Sequence, residues 1–410
     1  MNELASRGLS AAGLIAIVGI AWLFASERRP LPWRVIAWGG GLQLGLGLLL
    51  LRTDAGRAFF VAVNDGVSGL VRFTDAGTRF MFGPLKETGF SFAIEVLPII
   101  IFMGSVFGIL YHLGLVQRVV GLLARGLAKS MGTSGAESLA AVANIFVGMT
   151  EAPLLVRPYL ERMTRSELFC VMTTGMATIA GSVLVAYAKM LGEAQYAGHL
   201  VTASLLSAPA GVLIAKLMVP ETGTPVTTLA SGALVARTTV NLIDAAAEGA
   251  IAALRLAAYV GGLLIAFVAL IAMLNAGVET LGGWLGIEGL TLQRIFGFGF
   301  APLALLMGIA PGEALEVGSL LGTKTVLNEF LAYQDLAALI AAGSLSERSA
   351  VIASYGLCGF ANFGSLAILI GGMGGMAPSR RGEIAELGMR SILAGTLASL
   401  MTGCVAGIFL

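Results

Sequence analysis

Charge is scarce in this sequence. Only 12% of its 410 residues are Asp, Glu, Lys or Arg, about half the share found in soluble domains. With 57% apolar residues and a mean hydropathy of +0.89, that scarcity excludes a soluble globular enzyme and a disordered chain. Net charge is also lacking, since 25 Lys plus Arg oppose 24 Asp plus Glu. No field therefore draws nucleic acid or an acidic substrate. Histidine is almost absent: His112 and His199 are too few for a haem pair or a His-rich metal centre. The three cysteines, Cys170, Cys358 and Cys404, lie in apolar stretches without a CxxC partner, which speaks against a disulfide framework or a zinc site. No Ser or Cys in a span has a His partner, so nucleophilic catalysis is not expected. The run Gly318-x-x-x-Gly322-Thr-Lys324-Thr has the residues of a phosphate loop at the wrong spacing, and no strand precedes it.

What is present is length in apolar runs. A spanning helix takes about 20 apolar residues. Eight runs qualify: 9–24, 35–51, 92–113, 166–188, 200–219, 251–274, 351–372 and 392–410. The first lacks the basic start and the A-x-A site of a signal peptide. Between the second and third, charges at Arg52, Asp54, Arg57, Asp65, Arg72, Asp75 and Arg79 interleave with Phe59, Phe60, Val63, Val67, Leu70 and Val71. That periodicity predicts an amphipathic helix lying in the interface over 52–90. A second, basic one is expected over 119–129. Small-xxx-small pairs such as Gly41 and Gly45 predict close helix packing. The loop with Arg28, Arg29 and Arg34 is assigned to the cytoplasm by its basic bias. Eight spans then place both termini outside, and the Arg157–Arg162–Arg165 and Arg380–Arg381 loops inside.

Two apolar segments, 134–163 and 296–335, are interrupted by polar residues. Counted as re-entrant hairpins, they keep the basic loops on one side. Irregular backbone at membrane depth is tolerated where it is buried in protein or lines a cavity. The two segments also read as copies. Thr150-Glu151 is followed by a span containing Gly175-Met-Ala-Thr-Ile-Ala-Gly-Ser182, and Asn328-Glu329 by one containing Gly356-Leu-Cys-Gly-Phe-Ala-Asn-Phe-Gly-Ser365. A further span follows each. One hairpin opens inward and the other outward, so the repeat is inverted. Paired, Gly-interrupted segments in two inverted halves point to a transporter's binding site.

Glu151 and Glu329 stand in apolar sequence, where a carboxylate costs at least a few kcal/mol unless it faces a cavity or a partner. A structural pairing with Lys324 or Arg157 is the plain alternative. Asn144, Thr150, Asn328, Asn362 and Ser365 are neutral donors and acceptors beside the two acids. Alone, each would be interhelical glue; clustered at the broken points of the repeat, they read as a site. Thr178, Asn144 and free carbonyls near Val147 and Ile179 suggest a small cation site of hard oxygens without a full charge, favouring sodium over a proton relay.

Three runs then carry a resemblance: Asn144-Ile-Phe-Val-Gly-Met-Thr-Glu-Ala-Pro153, Lys324-Thr-Val-Leu-Asn-Glu-Phe-Leu-Ala-Tyr333 and Cys358-Gly-Phe-Ala-Asn-Phe-Gly-Ser365. In this order they resemble the concentrative nucleoside transporter family, and the similarity extends over essentially the whole chain. The resemblance implies an all-α polytopic membrane protein of the short bacterial type, with eight transmembrane helices, two re-entrant hairpins and interfacial helices. It implies a homotrimer in the cytoplasmic (inner) membrane that imports nucleosides such as uridine with a sodium or proton gradient, by an elevator movement. The scaffold would comprise about 52–130 and 246–276. The moving part would comprise about 8–51, 131–219 and 296–410. By motif, Met149, Thr150 and Glu151 would face the nucleobase, assisted by Val183. Glu329, Asn362 and Ser365 would hold the ribose hydroxyls, and Phe360 and Leu254 would pack on the nucleoside. Asn144, Val147, Thr178 and Ile179 would bind sodium as the coupling ion, with no other cofactor. Met149 departs from the family's usual Gln, which leaves base preference open; Thr178 replaces a common Ser and Gly312 a frequent Trp. A proton-coupled symporter and a passive channel are the competing functions.

Overall fold

The computed structural model describes residues 3–87, 91–192, 195–225, 227 and 239–410, and no β-strand occurs among them. The last three residues of the segment expected to be interfacial, 88–90, lie outside the described residues. Two membrane-length helices come first, α1 (Glu3–Leu23) and α2 (Trp33–Arg52). Packing on α2 comes from Gly39 and Gly47, where an added Cβ would strike Leu213 and Val405. Gly41 and Gly45 are open instead, because their side of the helix turns away from the neighbours. The interfacial expectation becomes α3 (Asp54–Phe82), opened by Thr53 Oγ1, which accepts from Gly56 N–H at 3.2 Å. A short α4 (Phe92–Glu95) leads into α5 (Leu97–His112), and the basic amphipathic helix is α6 (Leu115–Met131).

The first hairpin rises on α7 (Gly135–Ala143) and returns through two single turns, α8 (Ala152–Leu155) and α9 (Arg157–Leu160). Pro153 and Pro158 each start a turn and cannot continue the one before. Its base and the next helix carry matched capping boxes. Ser134 and Glu137 open α7, and Thr164 and Glu167 open α10 (Arg165–Ala177). Each side chain satisfies an amide that the helix leaves free. After a break come α11 (Gly181–Met190) and α12 (Gln195–Met218). The sixth span is longer than its apolar core suggested: α13 runs 43 residues, Leu242–Trp284. It crosses α5 where Gly104 and Gly108 meet Gly249 and Ala253, small residues that bring the backbones together.

The second half repeats the order. Residues 296–306 belong to α14 (Leu292–Leu306), which pairs with α15 (Ala314–Val326) rather than forming the hairpin itself. The hairpin is α15 and α16 (Glu329–Ala341). Apolar periodicity cannot separate these three, since all are apolar on the faces they share. The seventh span is split into α17 (Glu347–Leu357) and α18 (Phe363–Met376), each shorter than a bilayer, and α19 (Arg381–Phe409) closes the fold. Among the described residues, seven stretches are therefore long and apolar enough to cross singly, and the split pair supplies the eighth crossing.

Side-chain contacts sort the ends of the bundle. At one end Arg34 donates to Lys129 O and Ser130 O, Arg380 to Met163 O, Arg390 to Phe24 O, and Arg165 pairs with Glu386 at 2.6 Å. At the other, Arg7 reaches Leu410 O and Arg348 reaches Gly308 O and Gly407 O. The basic loops thus meet at one end, and the two chain termini share the opposite one.

Candidate functional site

Both hairpin tips form where helices stop. Asn144 caps α7, and the chain turns to Gly148, whose φ is +89°. Left-handed backbone favours glycine, and space demands it too, because a Cβ there would lie 2.8 Å from the Ala180 Cβ. The tip docks on the break between α10 and α11, where Gly181 N–H donates to Phe146 O at 3.0 Å. Thr178 and Ala180 are extended in that break, so the last carbonyls of α10 lose their usual helical donors.

At the second tip Asn328 Oδ1 accepts from Leu331 N–H at 3.0 Å and opens α16. Glu329 follows and is only 3% exposed. Its Oε1 accepts from Tyr187 Oη at 3.0 Å and its Oε2 from Asn362 Nδ2 at 2.8 Å. Asn362 in turn caps α18, its Oδ1 accepting from Ser365 N–H at 2.7 Å. The break between α17 and α18 contains Gly359 at φ +145°, where a Cβ would stand 2.8 Å from Met176 O and from Ser399 Oγ. The two helix breaks therefore lie against each other. The pairing of Glu329 with Lys324 does not form: Lys324 Nζ turns to Ser399 Oγ at 3.0 Å and Gly356 O at 3.2 Å. The partner of Glu151 is Thr150, whose hydroxyl donates to Oε2 at 2.7 Å, and not Arg157.

A cavity of about 110 Å³ lies between the tips. Met149, Thr150, Glu151, Val183, Glu329, Phe360, Asn362 and Ser365 all line it. Its walls are therefore apolar faces with two carboxylates and two amides, Asn328 and Asn362, among them, suited to a flat, neutral molecule bearing hydroxyls and N–H groups. Beyond hairpin one lies a second cavity of about 500 Å³ that shares Val147, Glu151, Ser182 and Leu256 with the first and reaches Tyr111, Gln117, Arg157 and Glu248. Glu151 lines both and is solvent-accessible through them.

The residues suggested for a cation lie behind the first tip. Asn144 is fully buried. Its Nδ2 donates to Ala140 O at 3.0 Å and Thr174 Oγ1 at 3.4 Å, while its Oδ1 is buried and accepts nothing. A buried oxygen left without a donor is costly, and a small hard cation would satisfy it. Thr178 Oγ1 donates to Thr174 O at 2.9 Å and keeps its lone pairs free. With the carbonyls of the break, the donor set is all oxygen and carries no charge. These residues fit sodium.

Residues 12–85 match the description "Na+ dependent nucleoside transporter N-terminus", 93–194 "Nucleoside recognition" and 199–407 "Na+ dependent nucleoside transporter C-terminus". The chain belongs to the Na+ dependent nucleoside transporter family. This transporter is 45% identical to an uncharacterized transporter of Haemophilus influenzae, over 97% of this chain and 96% of that protein. It is 42% identical to solute carrier family 28 member 3 of Mus musculus, over 98% of this chain and 58% of that longer protein. It is similar to CNTnw in an inward-facing substrate-bound state, with a TM-score of 0.92 and 41% identity, covering 100% of this chain and 98% of that one. The nucleoside transporter is a multi-pass membrane protein and not an enzyme, in keeping with its relatives.

Leu254 is the one expected site residue of this nucleoside transporter that does not join the others. It is 54% exposed and lines neither cavity. At 100° per residue, the inner face of α13 belongs instead to Leu256, Val260, Leu264 and Phe267. Sequence reasoning also missed Tyr187 and Ser182. The signal for Tyr187 was its place four residues after Val183, on the same side of α11.

Proposed function

We propose that this protein is a sodium-coupled symporter that imports nucleosides across the cytoplasmic membrane. One observation carries the reading: a buried carboxylate, Glu329, fixed by Tyr187 and Asn362 at the rim of an otherwise largely apolar cavity. Two donors orient the carboxylate and leave lone pairs for a substrate's vicinal hydroxyls. Ser365 adds a hydroxyl beside it, and Phe360 and Val183 offer apolar surface to a base. Met149, Thr150 and Glu151 face the base from the opposite tip, with Met149 packing without reading an edge.

Asn144, Val147, Thr178 and Ile179 hold sodium in this reading. Bound there, the ion supplies positive charge to Asn144 Oδ1 and to the carbonyls of the first break. Because hairpin one rests on that break through Phe146 and Gly181, an ordered cation site also orders the Met149–Glu151 face. The basic end of the bundle is cytoplasmic by the same bias that assigned the loops, which puts both termini in the periplasm. The larger cavity then opens inward. Residues 52–130 and 246–276 form a scaffold that is trimeric, and the remaining helices with both hairpins move against it as an elevator. Uptake of labelled uridine into proteoliposomes tests the function. Accumulation above the outside concentration, driven by a sodium gradient, is expected. Equal accumulation with choline and a pH gradient would assign the drive to protons, and mere equilibration would identify a channel.

A further inference from the structure

The two halves treat their helix breaks differently. Asn144 sits at the end of the first arm of hairpin one and reaches Thr174, in the last turn of α10 before the break. Lys324 sits in the last turn of the first arm of hairpin two and reaches Gly356 O, in the last turn of α17 before the second break. Both side chains thus stand within one turn of the end of a hairpin's first arm and reach the last turn of the helix that precedes a break. At the first, a buried oxygen has no donor. At the second, an ammonium that is 1% exposed fills the gap. It donates to Gly356 O and to Ser399 Oγ, and Ser399 lies 2.9 Å from Cys358 O. Those carbonyls are the ones the break leaves without helical donors.

We propose that Lys324 is a tethered cation occupying, in the second half, the place that a diffusible sodium ion takes in the first, so that the transporter moves one sodium per nucleoside. The inference rests on the sodium-symport reading above and deepens it. The cavity wall holds two carboxylates, Glu151 and Glu329, and Lys324 stands behind it as an ammonium tied to the second break. Lys324 is thus a positioning residue. It holds the second break in place, and with it Asn362 and Glu329, without touching substrate.

The test has two arms. In wild-type proteoliposomes the charge carried per uridine, read from sodium and uridine reversal potentials, is expected to be about one, with a Hill coefficient for sodium of about one. Two charges per uridine would overturn the proposal while leaving sodium symport intact; no sodium dependence would instead remove the reading it rests on. In Lys324→Ala, purified protein without nucleoside should show sodium-dependent thermal stabilisation that rises more steeply with concentration than wild type. Its uridine binding should become second order in sodium and be lost at low sodium. Sodium order and half-saturation unchanged in this variant would show that the lysine is only a helix tie. Should Lys324→Ala not fold, the wild-type charge ratio decides alone.

Discussion

Replacing Glu329 with Gln isolates the charge at the centre of the cavity while keeping its shape. In the wild type Oε1 and Oε2 each accept one protein hydrogen bond, at 3.0 and 2.8 Å. The amide oxygen of Gln can keep the bond from Asn362 Nδ2. Its NH2 then meets the Tyr187 hydroxyl, which rotates to accept, so the fold is retained. What changes is the group presented to the substrate: a hydrogen bond to an ionised partner contributes about 1.5–3 kcal/mol, against about 0.5–1.5 for a neutral one. The difference is about 1–1.5 kcal/mol for each ribose hydroxyl. Two hydroxyls give roughly 2–3 kcal/mol, or about 30- to 150-fold in affinity. Isothermal titration of uridine, 2′-deoxyuridine and 2′,3′-dideoxyuridine into wild type and Glu329→Gln measures this directly. The loss should be large for uridine, smaller for the deoxy compound and nearly absent for the dideoxy compound. An equal loss for all three, or equal wild-type affinity for uridine and its dideoxy analogue, would remove Glu329, Asn362 and Ser365 from ribose recognition.

Asn144→Ala should weaken sodium-dependent uridine uptake strongly and abolish stabilisation of the purified protein by sodium, measured by thermal melting; unchanged stabilisation would move the ion elsewhere. Met149→Gln should restore a donor and an acceptor opposite the base and sharpen preference for uridine and cytidine by several-fold, since a regained hydrogen bond is worth about 0.5–1.5 kcal/mol. Competition by the four common ribonucleosides reads this out, and an unchanged ranking would show that position 149 does not face the base. Gly359→Ala should destabilise by more than about 1–3 kcal/mol, because a methyl at φ +145° meets Met176 O and Ser399 Oγ. A melting temperature within error of wild type would contradict this packing of the two breaks. Lys216→Met leaves Glu137, itself 1% exposed, without its cation. The expected loss is about 3–5 kcal/mol of stability, and a neutral effect in denaturant titration would show that protonation of Glu137 or water compensates.

Most of the architecture was legible because a bilayer imposes few choices. Long apolar runs and basic loops located the crossings, and the arginine contacts at one end of the bundle agree with the bias that grouped them. The site was legible because Glu151 and Glu329 are expensive where they stand, and residues around such groups are constrained by chemistry rather than by hydropathy. What escaped was whatever depends on rotation about a helix axis. Leu254 and Leu256 are equivalent in composition, yet only Leu256 faces the cavity. Gly41 and Gly39 are equally small, and only Gly39 meets a neighbour. Tyr187 looked like ordinary apolar sequence until its hydroxyl was found on Glu329. The separation of α14 from hairpin two was hidden for a related reason, since helices that bury the same kind of face leave no mark in sequence where one ends and the next begins.

The length of α13 sets the distance a solute must cross. Its uncharged stretch, 256–278, measures about 34 Å at 1.5 Å per residue, close to the hydrocarbon thickness of about 30 Å. The preceding turns, with Asp244, Glu248 and Arg255, lie beside α5, where Gly104 and Gly108 meet Gly249 and Ala253. Ala245, Glu248, Gly249 and Ala252 of those turns wall the larger cavity, so the rod carries polar groups alongside a spanning helix where it faces that cavity. The same rod offers apolar surface to lipid and charged turns to the space beyond hairpin one. The short apolar stretch between Leu256 and Phe267, which faces the smaller cavity, is the part of the path that no polar group on α13 relieves.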